Sequence, residues 1–157
     1  MFKKSNVYYF FSYHGFHLIE VKGEDYNFNS NYACLLIDKL KGNVNWFYPF
    51  VGATGMMLHW DNASSHKSLI TRNKIESVGF IEVEHPPYSP DIAPCDFFLF
   101  GYIKNKLKGN VFNTSNELKV AIEKVVMGIS TNTIQNVFLE WKIRLDTVIN
   151  NGGEYFL

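Results

Sequence analysis

A mixed α/β fold is what this sequence predicts, and three observations carry the expectation. Short aromatic and β-branched runs at residues 7–11, 17–21, 56–60 and 80–84 read as strands. Longer stretches between and after them carry apolar residues at helical spacing. The resulting order is strand, strand, helix, strand, helix, strand and then helices, without a repeat, a low-complexity tract or a linker. That order gives one layered α/β domain over residues 1–157.

Each element has a local reason. Residues 7–11 (Val-Tyr-Tyr-Phe-Phe) read as a buried strand, residues 12–15 as a turn, and residues 17–21 as the returning strand of a hairpin. Asn29, Ser30 and Asn31 supply helix-capping side chains. Tyr32, Leu35, Leu36 and Leu40 follow at helical spacing, and Gly42 is expected to end that helix. Residues 43–55 read as a long aromatic connection, residues 56–60 as a strand, and residues 66–78 as a weakly amphipathic helix closed by Gly79. Residues 80–84 alternate, with Ile81 and Val83 on one face of a half-exposed strand. From Asp96 onward, Phe100, Ile103 and Leu107 mark an amphipathic helix, with Asp96 on the same inward stripe. Thr114 and Glu117 form a capping box ahead of Leu118, Ala121, Ile122 and Val125. The last helix is drawn by Ile134, Val137, Phe138, Trp141, Leu145 and Val148, with Gly152 beyond it.

Composition narrows the functional classes. A hydrophobic fraction of 46% and an aromatic fraction of 17% describe a globular chain with enough mass for a core. Fifteen basic and fifteen acidic residues cancel, so any affinity for nucleic acid has to come from a local patch. Cys34 and Cys95 are too few for a disulfide framework and point to a reducing compartment. Lys3-Lys4 before the apolar run imitates a signal peptide. His14, His17 and Glu20 interrupt that run and no small-residue cleavage site follows, so secretion is not expected. No segment approaches a membrane-spanning length.

Two aspartates stand at element boundaries. Asp61 ends the strand of residues 56–60, and Asp96 opens a helix after the proline-stiffened loop of residues 86–94. Carboxylates delivered in this way can converge at one sheet edge and offer the hard oxygen ligands that Mg²⁺ or Mn²⁺ needs for phosphodiester chemistry. Taken singly, Asp61-Asn62 is ordinary turn material and Asp96 an ordinary helix-start acid. Asp91 competes as a ligand, but its place between Pro90 and Ile92 suits a turn. His59, His66 and His85 match no zinc-site spacing and read as ordinary polar or core residues. Lys104, Lys106 and Lys108 alternate and share no helical face, so they read as solvated surface by default, with a phosphate contact as the alternative.

The joint pattern is more specific than its parts. His59-Trp60-Asp61-Asn62-Ala63-x-x-His66, the thirty-four residues between Asp61 and Asp96, and Pro86-Pro87-Tyr88-Ser89-Pro90-Asp91-Ile92-Ala93-Pro94-x-Asp96-Phe97-x-Leu99-Phe100 closely resemble the mariner-type transposases. Tyr13-His14-Gly15, Tyr26-Asn27-x-Asn29-Ser30-Asn31-Tyr32 and the Gly153-Glu154-Tyr155 ending extend the resemblance over essentially the whole chain. It implies a ribonuclease-H-like domain with an aspartate triad and two divalent cations, Asp61 being the second triad member and Asp96 the third. It also implies DNA, as transposon ends and target, for a partner, association with a second copy or a full-length transposase, and a nuclear location in a eukaryote or a cytoplasmic one otherwise.

The departures from the family pattern set further expectations. The family's first catalytic aspartate lies on a strand before the hairpin, whereas residues 1–6 contain no carboxylate. The helix-turn-helix region is missing as well, and Ser64-Ser65 replace an Arg-Pro pair. By this resemblance the chain is a partial catalytic domain without its central first strand, with a weak metal site, and unable to cut DNA alone. The competing readings are a non-catalytic module that binds nucleic acid or a transposase, and a pseudogene product.

Overall fold

The computed structural model describes residues 6–22, 27–61, 63–64 and 66–153. Expectations resting on residues 1–5 (the absent first strand among them), Tyr26, Asn62, Ser65, Glu154 and Tyr155 lie outside the described residues. The chain divides into two compact units, Asp25–Pro87 and the combination of Met1–Glu24 with Tyr88–Leu157. The mixed α/β architecture follows the element order read from the sequence.

In the unit formed by the two chain ends, β1 (Asn6–Ser12) pairs antiparallel with β2 (Gly15–Lys22), with a register shift between Phe10 and Phe11. Gly15, at φ +129°, takes the turn conformation that side chains disfavour. Period-two alternation puts Val7, Tyr9 and Phe11, with Ile19 and Val21 across the ladder, against a buried helical cluster. Residues 7–11 are therefore half-buried rather than fully buried, because only one strand face meets the helices. That cluster is built by Leu99, by Ile103 and Leu107 of α3 (Phe100–Leu107), and by Leu118, Ile122 and Val126 of α4 (Ser115–Met127).

Helix α4 starts where the capping box places it. The Thr114 hydroxyl oxygen accepts from the Glu117 N–H at 3.1 Å, and the Glu117 carboxylate accepts from the Asn113 N–H at 2.8 Å. The reciprocal bond thus reaches one residue further back than the standard box. Helix α5 (Thr131–Asn150) is capped by Ser130, whose hydroxyl accepts from the Thr133 N–H at 3.1 Å. It buries Ile134 and Val137 fully, and Phe138, Trp141, Leu145 and Val148 only in part.

In the unit Asp25–Pro87, Asn29 caps α1 (Ser30–Phe47) by accepting the Tyr32 N–H at 2.9 Å. Gly42 does not end this helix. The buried stripe Tyr32, Ala33, Leu36, Ile37 and Leu40 continues to Val44, and that burial outweighs the roughly 1 kcal/mol a mid-helix glycine costs relative to alanine. Residues 43–47, expected in a connection, are thus helical, and Leu35, expected on the stripe, is exposed.

The strand β3 (Met57–His59) lies parallel to β4 (Ile81–Val83), joined by the crossover helix α2 (Leu69–Ser77). Helix α2 starts at Leu69 rather than residue 66 because the Ser68 hydroxyl accepts the Thr71 N–H at 3.2 Å and so sets the cap. The Thr71 side chain is fully buried, and its hydroxyl accepts from Ser68 Oγ at 2.8 Å, so no polar cost is left open there. Lys74 pairs with Asp38 at 2.7 Å and ties α2 to α1. Among the described residues no helix is long and apolar enough to cross a membrane.

Burial separates two neighbouring substitutions in α4. Ile122 is 2% exposed and Val120 is 57% exposed. Ile122→Ala is expected to lower stability by about 2–5 kcal/mol, and Val120→Ala to leave it within about 0.5 kcal/mol. Chemical denaturation followed by circular dichroism reads the difference, and equal losses would contradict this placement of the cluster.

Candidate functional site

Asp61 lies two residues beyond the end of β3, where the chain turns out of the ladder toward α2. Its Oδ1 accepts from the Ala63 N–H at 3.1 Å and faces His66 Nδ1 at 2.6 Å. The same Nδ1 lies 3.2 Å from the main-chain oxygen of Asp61. Both partners are acceptors, so the Nδ1 position carries the proton. The His66 ring is buried, stacked on Trp60 with centroids 4.0 Å apart and planes 5° from parallel, and met edge-on by Phe28 at 4.9 Å. Trp60 is fixed in turn, since its indole N–H donates to Glu82 of β4 at 3.3 Å. Glu82 also pairs with Arg72 of α2 at 3.6 Å.

This arrangement holds the Asp61 carboxyl below the usual carboxylate range. The His66 hydrogen bond is the largest cause, opposed by partial burial and aided by the Ala63 N–H and the charges of His66 and His85. The side chain remains 71% exposed, so the ion pair adds little to stability. Its effect is to orient an ionised, accessible carboxylate. Asp61 borders a cleft of about 490 Å³ together with Trp60, Lys67, Arg72, Glu84 and His85. Beside it, His59 Nε2 and His85 Nδ1 are 3.0 Å apart, and burial, then repulsion from His85, pushes the His59 imidazole down to about 4.

Asp96 is delivered by a different device. In the loop before it, Tyr88 adopts a left-handed conformation at φ 56°, and Pro90–Ile92 forms a 3₁₀ turn. A π-turn, Cys95–Leu99, follows and runs into α3, closed by the Phe100 N–H donating to the Cys95 carbonyl. Such wide turns recur at functional sites because they re-aim side chains. The inward stripe is Leu99, Ile103 and Leu107, while Asp96 and Phe100 are both exposed. The sequence expectation that Asp96 and Phe100 point inward is corrected accordingly. The wide turn brings Leu99 to the inward position that uniform helical spacing assigned to Phe100.

Asp91 sits in the 3₁₀ turn with its main-chain oxygen bonded to Arg144 at 2.9 Å, in keeping with a structural role. Lys104, Lys106 and Lys108 are exposed. The donor chemistry of Asp61 suits a hard divalent cation, being an exposed carboxylate kept ionised, and Asp96 is a second exposed carboxylate. Among the described residues no three His, Cys, Asp or Glu side chains gather into a metal-binding group.

Sequence reading missed the role of His66, although its place five residues after Asp61 put it within reach. It also missed Trp141 and Arg144, whose partners Ile92 and Asp91 lie 49 and 53 residues away, beyond any local pattern.

The His66 bond gives a pH-dependent expectation. The depressed Asp61 pKa contributes stability that is present above the ordinary carboxylate value and lost as pH falls through the folded value. The lowered His59 value acts in the same direction, because the unfolded chain takes its proton first as pH falls from 6.5 toward about 4. His66→Phe keeps the stacked ring and removes the donor, so the Asp61 midpoint should rise toward the ordinary carboxylate value. A carboxyl ¹³C titration reads this midpoint, and an unchanged value would refute the role given to His66.

No protein-family model matches the chain. The human histone-lysine N-methyltransferase SETMAR is 29% identical over 106 residues, which is 68% of this chain and 16% of that protein. The Mariner Mos1 transposase of Drosophila mauritiana is 34% identical over 64 residues, 41% of this chain and 18% of that protein. The chain thus spans less than a fifth of either relative. In fold, the catalytic domain of Mos1 mariner transposase matches 98% of this chain and 82% of that chain, with a TM-score of 0.83 and 18% identity. A Mos1 paired end complex with Mn matches 98% of this chain and 45% of that chain, with a TM-score of 0.89 and 19% identity. The fold is therefore the ribonuclease-H-like fold of that catalytic domain. In sequence the chain is therefore similar to SETMAR and to the Mariner Mos1 transposase, and in fold to the Mos1 transposase catalytic domain.

Proposed function

We propose that this chain is a partial catalytic domain of a cut-and-paste DNA transposase, over residues 1–157, in which Asp61 and Asp96 each give a carboxylate to Mg²⁺ or Mn²⁺. The observation that carries this reading is the state of Asp61: ionised, accessible, and oriented by His66 at the end of β3. Mos1 structures with Mn and with Mg support a divalent ion here, and the paired end and strand transfer complexes of Mos1 support DNA as the partner. A nuclear location in a eukaryotic cell, and association with a second copy or a full-length transposase, belong to the same reading.

The contributions of the chain's own residues follow from their surroundings. His66 Nδ1–H holds the Asp61 carboxylate in one orientation and keeps it deprotonated. Trp60 and Phe28 pack against the imidazole and fix the ring from which that bond is donated. The π-turn presents the Asp96 carboxylate to solvent. A bound divalent cation would supply activation of an attacking oxygen and stabilisation of the leaving one. Two aspartates furnish less negative charge than a triad, so binding is weak and strand cleavage by this chain alone is not expected.

Purified chain incubated with DNA in Mg²⁺ or Mn²⁺ should therefore show little or no nicking while binding DNA in a salt-dependent way. Robust nicking abolished by Asp61→Ala would overturn the inactivity. Absence of DNA binding at low salt would overturn the transposase reading in favour of a module that contacts other proteins.

A further inference from the structure

We propose that Trp141 and Arg144 of α5 are positioning residues for Asp96, acting as a latch on the loop that delivers it. The inference rests on the reading of Asp96 as a metal ligand, and it adds two residues about fifty positions away in sequence. The Trp141 indole N–H donates to the Ile92 carbonyl at 2.7 Å. The Arg144 Nη1–H donates to the Asp91 carbonyl at 2.9 Å, and the same guanidinium lies 4.2 Å from the centre of the Phe97 ring. Asp96 is thereby bracketed, with α5 gripping the chain at Asp91 and Ile92 before it and at Phe97 immediately after it.

The grip falls where the loop needs it. Tyr88 holds a left-handed conformation that a non-glycine residue adopts at a cost, and the 3₁₀ turn leaves carbonyls without helical partners. The carbonyls of Asp91 and Ile92 are the ones α5 satisfies. Ile92 and Ala93 are buried behind them. Arg144 is itself held by Glu140 one turn earlier, its Nε–H donating at 2.9 Å. The Trp141 ring packs edge-on against Phe138, and Phe138 against Phe11 of β1. The latch is therefore anchored at its own base rather than hanging from a free helix face. The guanidinium is required for two tasks at once, a directed N–H bond and a planar face on Phe97. A lysine carries the charge but cannot do both.

The test compares Trp141→Phe, which keeps a packed ring but loses the N–H, with Arg144→Lys, which keeps the charge. Lys142→Gln, on the exposed side of the same helix, serves as control. Expected in both latch variants are faster amide exchange at residues 92–97 with α4 unchanged, a displaced Asp96 carboxyl ¹³C resonance, and Mn²⁺ affinity lower by about tenfold, as for supporting residues behind a metal ligand. A resonance and amide protection that stay at wild-type values, or that move equally in Lys142→Gln, would overturn the latch. If Asp96→Asn leaves Mn²⁺ affinity untouched, the ligand reading of Asp96 fails on its own, while the carboxyl resonance still decides whether α5 sets the position of that side chain.

Discussion

One imidazole sets the character of the region around Asp61. His66 is almost fully enclosed, stacked on Trp60 and met edge-on by Phe28, and its Nδ1–H is directed at the Asp61 carboxylate. Without it, Asp61 would be an exposed acid in a turn held only by the Ala63 N–H, and its largest pKa-lowering partner would be gone. With it, the carboxylate is oriented and ionised although it remains open to solvent. The constraint propagates backwards through the fold. Trp60 can cover His66 because Glu82 of β4 holds the indole N–H, and Glu82 lies opposite Leu58 in the parallel ladder. The pairing of two three-residue strands is thus what helps place the donor that faces the Asp61 carboxylate.

The two aspartates are held by unlike means. Asp61 depends on contacts a few residues away, a local cluster that forms once β3, α2 and β4 are in register. Asp96 depends on a wide turn and on a loop whose carbonyls are satisfied from a distant helix. A local cluster reforms readily after fluctuation, whereas a loop tied by long-range bonds loses its geometry when the helix frays. The proline-rich approach to Asp96 lowers the number of conformations the loop can explore, which reduces what the helix has to restrain.

Much of the fold was legible because the signals were local. The hairpin, the caps at Asn29 and Thr114, and the Leu118–Ile122 stripe each follow from periodicity or side-chain-to-backbone bonding within a few residues. The extension of α1 through Gly42 was not legible, because Val44 is buried by tertiary packing that outweighs a glycine's weak preference. The outward turn of Asp96 was hidden for a related reason: a π-turn breaks the spacing on which helical-face assignment depends. The motif residues Asp61 and Asp96 were visible through their resemblance to a family. The residues that hold them, His66, Trp141 and Arg144, became visible only with the fold, since nothing in a sequence of neutral net charge marks which cation or ring will reach a given carbonyl.

The most direct test is the Mn²⁺ affinity of Asp61→Asn, measured by calorimetry beside the unaltered chain. The proposed role of the His66-held carboxylate as a metal ligand requires that this substitution weaken Mn²⁺ binding while circular dichroism shows the fold unchanged. An Asp61→Asn chain that stays folded and binds Mn²⁺ as well as the unaltered chain would contradict it.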